Sequence, residues 1–244
     1  MRTLMRIEAA VAATLAVGCG HGPEWIGSAG LQTSELRLVG TIQSNGARVI
    51  GTMPLIHAVE FDPVHLTGGD ELWLGLVGGE SAPMSWIDDR GYAQLALDPA
   101  PPDVNALQLD VVRGGERGDA SIPLNFPPQA PLTGPAGPVS RSEPFGVAWG
   151  RSPLERGDQL AVRVDSDCLD LPLERRLERD DGRFELQPAD LADLFVADGA
   201  VDCTMYVSVK RTRVVSSSCS TEACVSDSSI PLEQVRTVAV DTVP

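Results

Sequence analysis

Gly69-Asp70-Glu71-Leu72-Trp73-Leu74-Gly75-Leu76 and Gly157-Asp158-Gln159-Leu160-Ala161-Val162-Arg163-Val164 stand 88 residues apart and align without a gap. In each, Gly-Asp is followed by apolar side chains at alternate positions: Leu72, Leu74 and Leu76 in the first, Leu160, Val162 and Val164 in the second. A period of two belongs to a half-buried β-strand, not to a helix. The match extends back to Val59-Glu60-Phe61 and Leu66 against Val147-Ala148-Trp149 and Leu154, which places Phe61 and Trp149 at equivalent buried positions of aromatic strands. At an offset of 89, Leu97-Asp98-Pro99-Ala100 matches Leu186-Gln187-Pro188-Ala189, and further on Leu107, Leu109 and Val111 alternate as Met205, Val207 and Val209 do. One supersecondary unit is used twice.

Turn chemistry supplies the punctuation. Asn45-Gly46 separates the alternating runs 36–42 and 47–51 and marks a hairpin. Gly114-Gly115-Glu116-Arg117-Gly118 separates strands at 105–113 and 120–126, and Asp181-Gly182 separates strands at 174–179 and 183–187. Only 190–195 reads as helical. Many short strands closed by Gly and Pro predict an all-β chain of antiparallel sandwiches. The prolines and glycines of 128–140 predict a stiff spacer, dividing domain 1 (31–127) from domain 2 (141–244). The aromatic strand 145–149, the Gly-Asp-x-Leu strand starts, Asp180-Asp181-Gly182-Arg183-Phe184 before Pro188-Ala189-Asp190-Leu191, and the late strand at 205–209 resemble the immunoglobulin-like sandwiches of bacterial envelope proteins. That resemblance implies two tandem immunoglobulin-like β-sandwich domains, and a binding or spacer role by analogy of fold.

The N-terminus carries an address. Arg2 and Arg6 precede a nine-residue apolar run, 9–17, which is too short to span a bilayer and suits a secretory signal. Leu15-Ala16-Val17-Gly18-Cys19 resembles the lipobox of bacterial lipoproteins, although Ala16 stands where that family usually has Leu and Glu8 intrudes on the apolar run. The resemblance implies a signal peptide at 1–18, acylation of Cys19, a tether at 19–30 and, because Gly20 is not aspartate, anchorage at the outer membrane. An ordinary signal peptide cut near Gly18 or Gly20 is the alternative.

Five cysteines are an odd number for an exported chain. Giving Cys19 to lipid leaves Cys168, Cys203, Cys219 and Cys224, which allow three pairings in an oxidising compartment. Locality favours Cys219 with Cys224, leaving Cys168 for Cys203. A zinc site fits poorly, because the spacings contain no C-x-x-C and no histidine lies near them.

Without residues 1–18 the chain keeps 17 basic and 33 acidic residues, a net charge of −16. Such a surface excludes nucleic acid as a default partner. All the basic residues but Lys210 are arginines, which read as codon bias rather than function.

Catalytic signals are sparse. There is no G-x-S-x-G, and His21 falls in the tether, leaving His57 and His65 for a folded site. The repeat aligns His57 with Phe145 and predicts a core-lining or sheet-end histidine, with Glu60 on the opposite strand face, so that His57, Glu60, Asp62 and His65 do not form a metal site. Asp165, Asp167 and Asp170, with the turn pairs Asp88-Asp89 and Asp180-Asp181, could hold calcium, but they fit no EF-hand loop and suit an acidic surface equally well. Arg-Gly-Asp occurs at 117–119 and 156–158, where turn chemistry explains it as well as adhesion does. No cofactor or metal is expected.

Trp73 is the candidate ligand platform. Its neighbours Leu72, Leu74 and Leu76 should face the core, so Trp73 faces outward, where the second copy has Ala161. Either the extra hairpin at 36–51 covers it, or it binds sugar together with Trp86 and Tyr92. The sequence thus predicts a non-enzymatic envelope lipoprotein, structural or protein-binding, with a carbohydrate-binding module as the alternative and a metal-assisted hydrolase as a remote third. Its partners would be the membrane, through the lipid, and an envelope protein or polysaccharide.

Overall fold

The computed structural model describes residues 25–87, 92–97, 107–115, 119–128, 130–191, 202–216, 225 and 228–243. Among them strands dominate. The helical elements are two 3-10 turns, Ser28–Gly30 and Thr33–Glu35, and one turn of α-helix, Pro188–Leu191, at the start of the predicted helical stretch.

The Asn45-Gly46 hairpin forms as its turn chemistry requires. Thr41–Ser44 pairs antiparallel with Val49–Met53, Gly46 takes a positive φ of 87° that a side chain would resist, and Asn45 Oδ1 accepts from the amides of Ala47 and Arg48. Leu36–Leu38 leaves this hairpin and pairs with Leu55–His57 instead.

Two apolar cores organise the chain. In the first, a four-stranded sheet containing Glu71–Leu76 and Leu107–Val112 presents Leu72, Leu74, Leu107, Leu109 and Val111 to Ile42, Val49 and Met53 of a facing sheet. In the second, Phe145–Trp149 and Arg183–Leu186 present Phe145, Val147, Phe184 and Leu186 to Leu160, Val162 and Val164 of Gln159–Asp165 and to Met205, Val207 and Val209 of Cys203–Ser216. The alternation read from the sequence therefore buries the side chains it selects, at roughly 25 cal/mol for each Å² of apolar surface removed from water. The result is the all-β sandwich class expected.

The cores are not joined by the predicted spacer alone. Cys203–Ser216 and Ser229–Val243 form one long antiparallel hairpin, paired from Cys203 with Thr242 to Ser216 with Ser229. Its inner end packs Met205, Val207, Val209 and Val240 into the second core, while Ile230 and Leu232 at the other end enter the first. There Leu232 to Gln234 pair in parallel with Ile42 to Ser44, fusing the facing layers of both halves into one nine-stranded sheet. The Ser228 hydroxyl also accepts from the Leu38 amide 190 residues away. The boundary expected at 128–140 is accordingly corrected: the last strand serves both cores, and 128–140 is not a free spacer. Leu132–Thr133 pairs with Ala148 and Trp149, and Val139–Ser140 pairs in parallel with Thr242 and Val243.

The aromatic strand predicted at 59–61 is absent. Leu55–His57 ends in a turn in which His57 N donates to Asp62 O and Phe61 N to His57 O. Pro63, with no N–H to give, follows directly. Phe61 sits at φ +62° with 57% of its surface exposed, not buried as the equivalent of Trp149, which is itself half-buried. His57 does end a strand, nearly buried, as the alignment with Phe145 implied.

Cys168 and Cys203 form a disulfide that spans 35 residues and clasps the end of the paired strands Gln159–Asp165 and Cys203–Ser216. Cys219 and Cys224 lie outside the described residues.

Two outcomes follow. Leu232→Ala, in the last strand, should cost about 2–5 kcal/mol as a cavity in the first core, read by urea unfolding of a probe in residues 36–124; a change confined to the second half would contradict the shared strand. Reducing the disulfide should cost about 4 kcal/mol by the chain-entropy estimate for its loop, checked by denaturation with and without reductant.

Candidate functional site

The repeated Gly-Asp is the local device that builds the most polar part of the interior. Gly69 and Gly157 both adopt positive φ, 84° and 93°. The following amides close equivalent turns, Asp70 N on Thr67 O and Asp158 N on Glu155 O. Each turn aims a fully buried carboxylate at an arginine on the neighbouring strand. Asp70 Oδ2 lies 3.2 Å from Arg113, and Asp158 accepts two bonds from Arg213, at 2.8 and 3.0 Å. The Asp158 carboxylate thereby holds the Arg213 guanidinium above its ordinary pKa.

Strand pairing corrects the late-strand alignment by one step. Leu72 lies opposite Val111 and Leu160 opposite Arg211, so Val207, Val209 and Arg211 match Leu107, Leu109 and Val111, and Arg213 matches Arg113. Arg211 thus occupies a core-facing place that is valine in the first half, which is why its side chain is only 2% exposed. Its charge is answered at both terminal nitrogens, while the buried Nε makes no hydrogen bond among the described residues. Pro128 O, Ser152 O and Pro153 O accept from its guanidinium, and Asp158 and Asp180 carboxylates lie 3.6 and 3.7 Å away. Asp180 is equally engaged, accepting from Trp149 Nε1 and from the amides of Gly182 and Ser152. In the first half Arg113 reaches Ser28 O, Leu31 O and Thr33 Oγ1.

These arginines fasten loops to the sandwich. The hollow beside them, lined by Pro128, Trp149, Asp180 and Arg211 among others, has a cavity volume of about 10 Å³, no more than one water needs. Small-molecule sites occupy roughly 300–1,000 Å³. The centre was missed in the sequence because arginines were ascribed to codon usage and Asp180 to an acidic surface. The signal available was an arginine two residues beyond the alternating run in both copies.

Trp73 is half-buried on the outer face of its sheet, across from Pro83 and Asp110, with Nε1 donating to Glu71. The 36–51 hairpin does not cover it. A Cβ on Gly51 would meet Leu74 and Met84, so that hairpin packs on the inner face, where the alternation puts the leucines. Gln108 donates to Asp110 beside Trp73. Trp86 is elsewhere, in a cluster with Trp25 and His65 whose ring centroids are 4.3–6.2 Å apart. Tyr92 begins a strand paired with 85–87.

His57 Nδ1 accepts from the Glu60 amide and lies 3.5 Å from the Glu60 carboxylate, so the turn brings together two residues expected on opposite faces. Asp62 and His65 do not complete a ligand set with them; among the described residues no three His, Cys, Asp or Glu side chains gather to hold a metal ion. Asp165, Asp167 and Asp170 are exposed, and Asp165 pairs with Arg163. Asp158, the acid of one Arg-Gly-Asp, is buried in the clamp; in the other, Asp119 accepts from the Arg113 amide while 117 and 118 lie outside the described residues. Cys19, Asp88 and Asp89 lie outside as well. No described helix is long and apolar enough to cross a membrane.

No family model and no curated protein matches the chain. Solved structures similar to it include the FN1-FN3 domains of chicken CNTN1, at 11% identity and TM-score 0.29, covering 85% of this chain and 66% of that one. Another is a cytokine receptor complex, at 11% identity and TM-score 0.30, covering 84% and 94%. At such scores the fold description rests on the strand pairing above.

Asp158→Ala should destabilise by about 3–5 kcal/mol, because it strands a buried guanidinium. Arg179→Ala, removing an exposed partner of Asp181, should change stability by less than about 1 kcal/mol. Urea denaturation of both variants checks this; equal effects would contradict a structural role for the buried pair.

Proposed function

We propose that the chain is a non-enzymatic cell-envelope lipoprotein, acylated at Cys19, anchored at the outer membrane and serving as a structural or protein-binding module. The observation that carries the non-enzymatic part is the commitment of its strongest charges: Asp70, Asp158, Asp180, Arg113, Arg211 and Arg213 are spent on holding strands and loops, with their bonding capacity turned inward. Catalysis needs such groups turned toward a substrate. The anchor rests on Leu15 to Cys19 and on the cysteine count.

Replacing Cys19 by Ser should leave export intact and move the protein from the membrane to the soluble envelope fraction, while the wild type should carry acyl mass on its mature terminus. A Cys19→Ser protein that still sediments with membranes, with no acyl mass in the wild type, would overturn the reading.

A second reading, a carbohydrate-binding module, is favoured by one arrangement. Trp73 is half-buried on the outer face of its sheet beside Asp110 and Gln108, a ring flanked by hydrogen-bonding groups. On the first reading neither wild type nor Trp73→Ala binds a glycan array. Wild-type binding that disappears in Trp73→Ala at unchanged thermal stability would establish the second.

A further inference from the structure

The end of the molecule at which the chain enters the fold carries exposed apolar side chains. Trp25 is 39% exposed, Val59 74% and Phe61 57%. Topology brings them together: Ile26 N donates to Pro63 O as Ile26–Gly27 runs beside Val64–His65, so Trp25 enters next to the return of the turn that carries Val59 and Phe61.

Phe61 is the only non-glycine residue at positive φ among those described. For an L-residue that conformation costs about 1–2 kcal/mol, and the two bonds between His57 and the 61–62 backbone hold it there. The ring is thus held outward against backbone preference, with Arg37 over one face. Such outliers persist where the surroundings impose them, and they cluster at sites of use.

We propose that this tip, Trp25 with Val59 and Phe61, rests in the headgroup region of the bilayer that holds the anchor. The inference rests on the Cys19 reading above. Five residues separate Cys19 from Trp25, a reach of at most about 20 Å when fully extended, so a lipidated Cys19 keeps the tip at the membrane surface. Tryptophan favours that interface, with its ring in the apolar layer and its N–H in the wet one. A net charge of −16 for the chain from Cys19 onward opposes a second copy or an anionic surface as the occupant and favours zwitterionic phospholipid. Of the acids on the turn, Glu60 lies 3.5 Å from His57 with its side chain 62% exposed, a charge suited to the headgroup layer and not to the acyl chains.

The test uses the protein purified from the envelope and reconstituted into phosphatidylcholine vesicles brominated near the headgroup. With Trp25 at the interface and Trp86 in ring contact behind it, about a quarter to a half of the emission of the four tryptophans should be quenched, and Trp25→Phe should remove at least about half of that quenching. Val59→Asp/Phe61→Asn, which removes the apolar surface and puts a residue tolerant of the left-handed region at 61, should abolish it while leaving acyl mass and thermal unfolding unchanged. An acylated, folded wild type with no quenching overturns the tip and leaves the anchor standing. A wild type without acyl mass overturns the anchor, and the tip with it. Quenching that survives undiminished in Trp25→Phe means another face meets the lipid, and also overturns the proposal.

Discussion

A buried guanidinium is the constraint to which the rest of the structure answers. Arg211 lies in the long terminal hairpin between the residues that fill one core and those that fill the other, and an unpaired charge there would cost several kcal/mol. Its position obliges Pro128, Ser152 and Pro153 to turn their carbonyls inward and Asp158 and Asp180 to bury their carboxylates. The segment between the halves, the loop after Trp149 and the Asp180 turn are thereby fixed to one strand. Replacing the whole cluster by hydrophobes is expected to be about as stable; what the charges add is one arrangement of loops in which each guanidinium meets a carboxylate, even though Nε of Arg113 and of Arg211 makes no hydrogen bond among the described residues.

The two halves reach the same solution with different parts. Gly-Asp at 69–70 and 157–158 makes the same turn and the same buried carboxylate, and Arg113 and Arg213 are its partners in register. The first half then uses Arg113 to hold the entering segment at Ser28 and Leu31, whereas the second adds Arg211 and holds the crossing from the first half. A repeated strand start thus became two clamps, one for each entry of the chain.

Much of this was legible in the residues. Alternation in 71–76, 107–112 and 159–165 identified buried faces because period two leaves a side chain no other choice, and Asn45-Gly46 marked its hairpin because few residues accept that turn. The partnership of the last strand with 42–44 was not legible: parallel pairing across about 190 residues leaves no local pattern. Phe61 was misplaced because sequence matching sees an aromatic and not the turn before Pro63. The clamp was hidden because an arginine destined for the interior is identical in sequence to one on the surface. For Trp73, orientation followed from its neighbours, but what lies over it depended on which side of the sheet the 36–51 hairpin took.

If one charged crossing and one shared hairpin bind both cores, the halves should unfold together. Native-state hydrogen exchange along the hairpin in rising denaturant measures this directly. The account predicts that amides at 205–209 and at 230–234 merge into one opening of equal free energy and equal denaturant slope. Two plateaus of different free energy, with exchange at 230–234 following the first half alone, would contradict it.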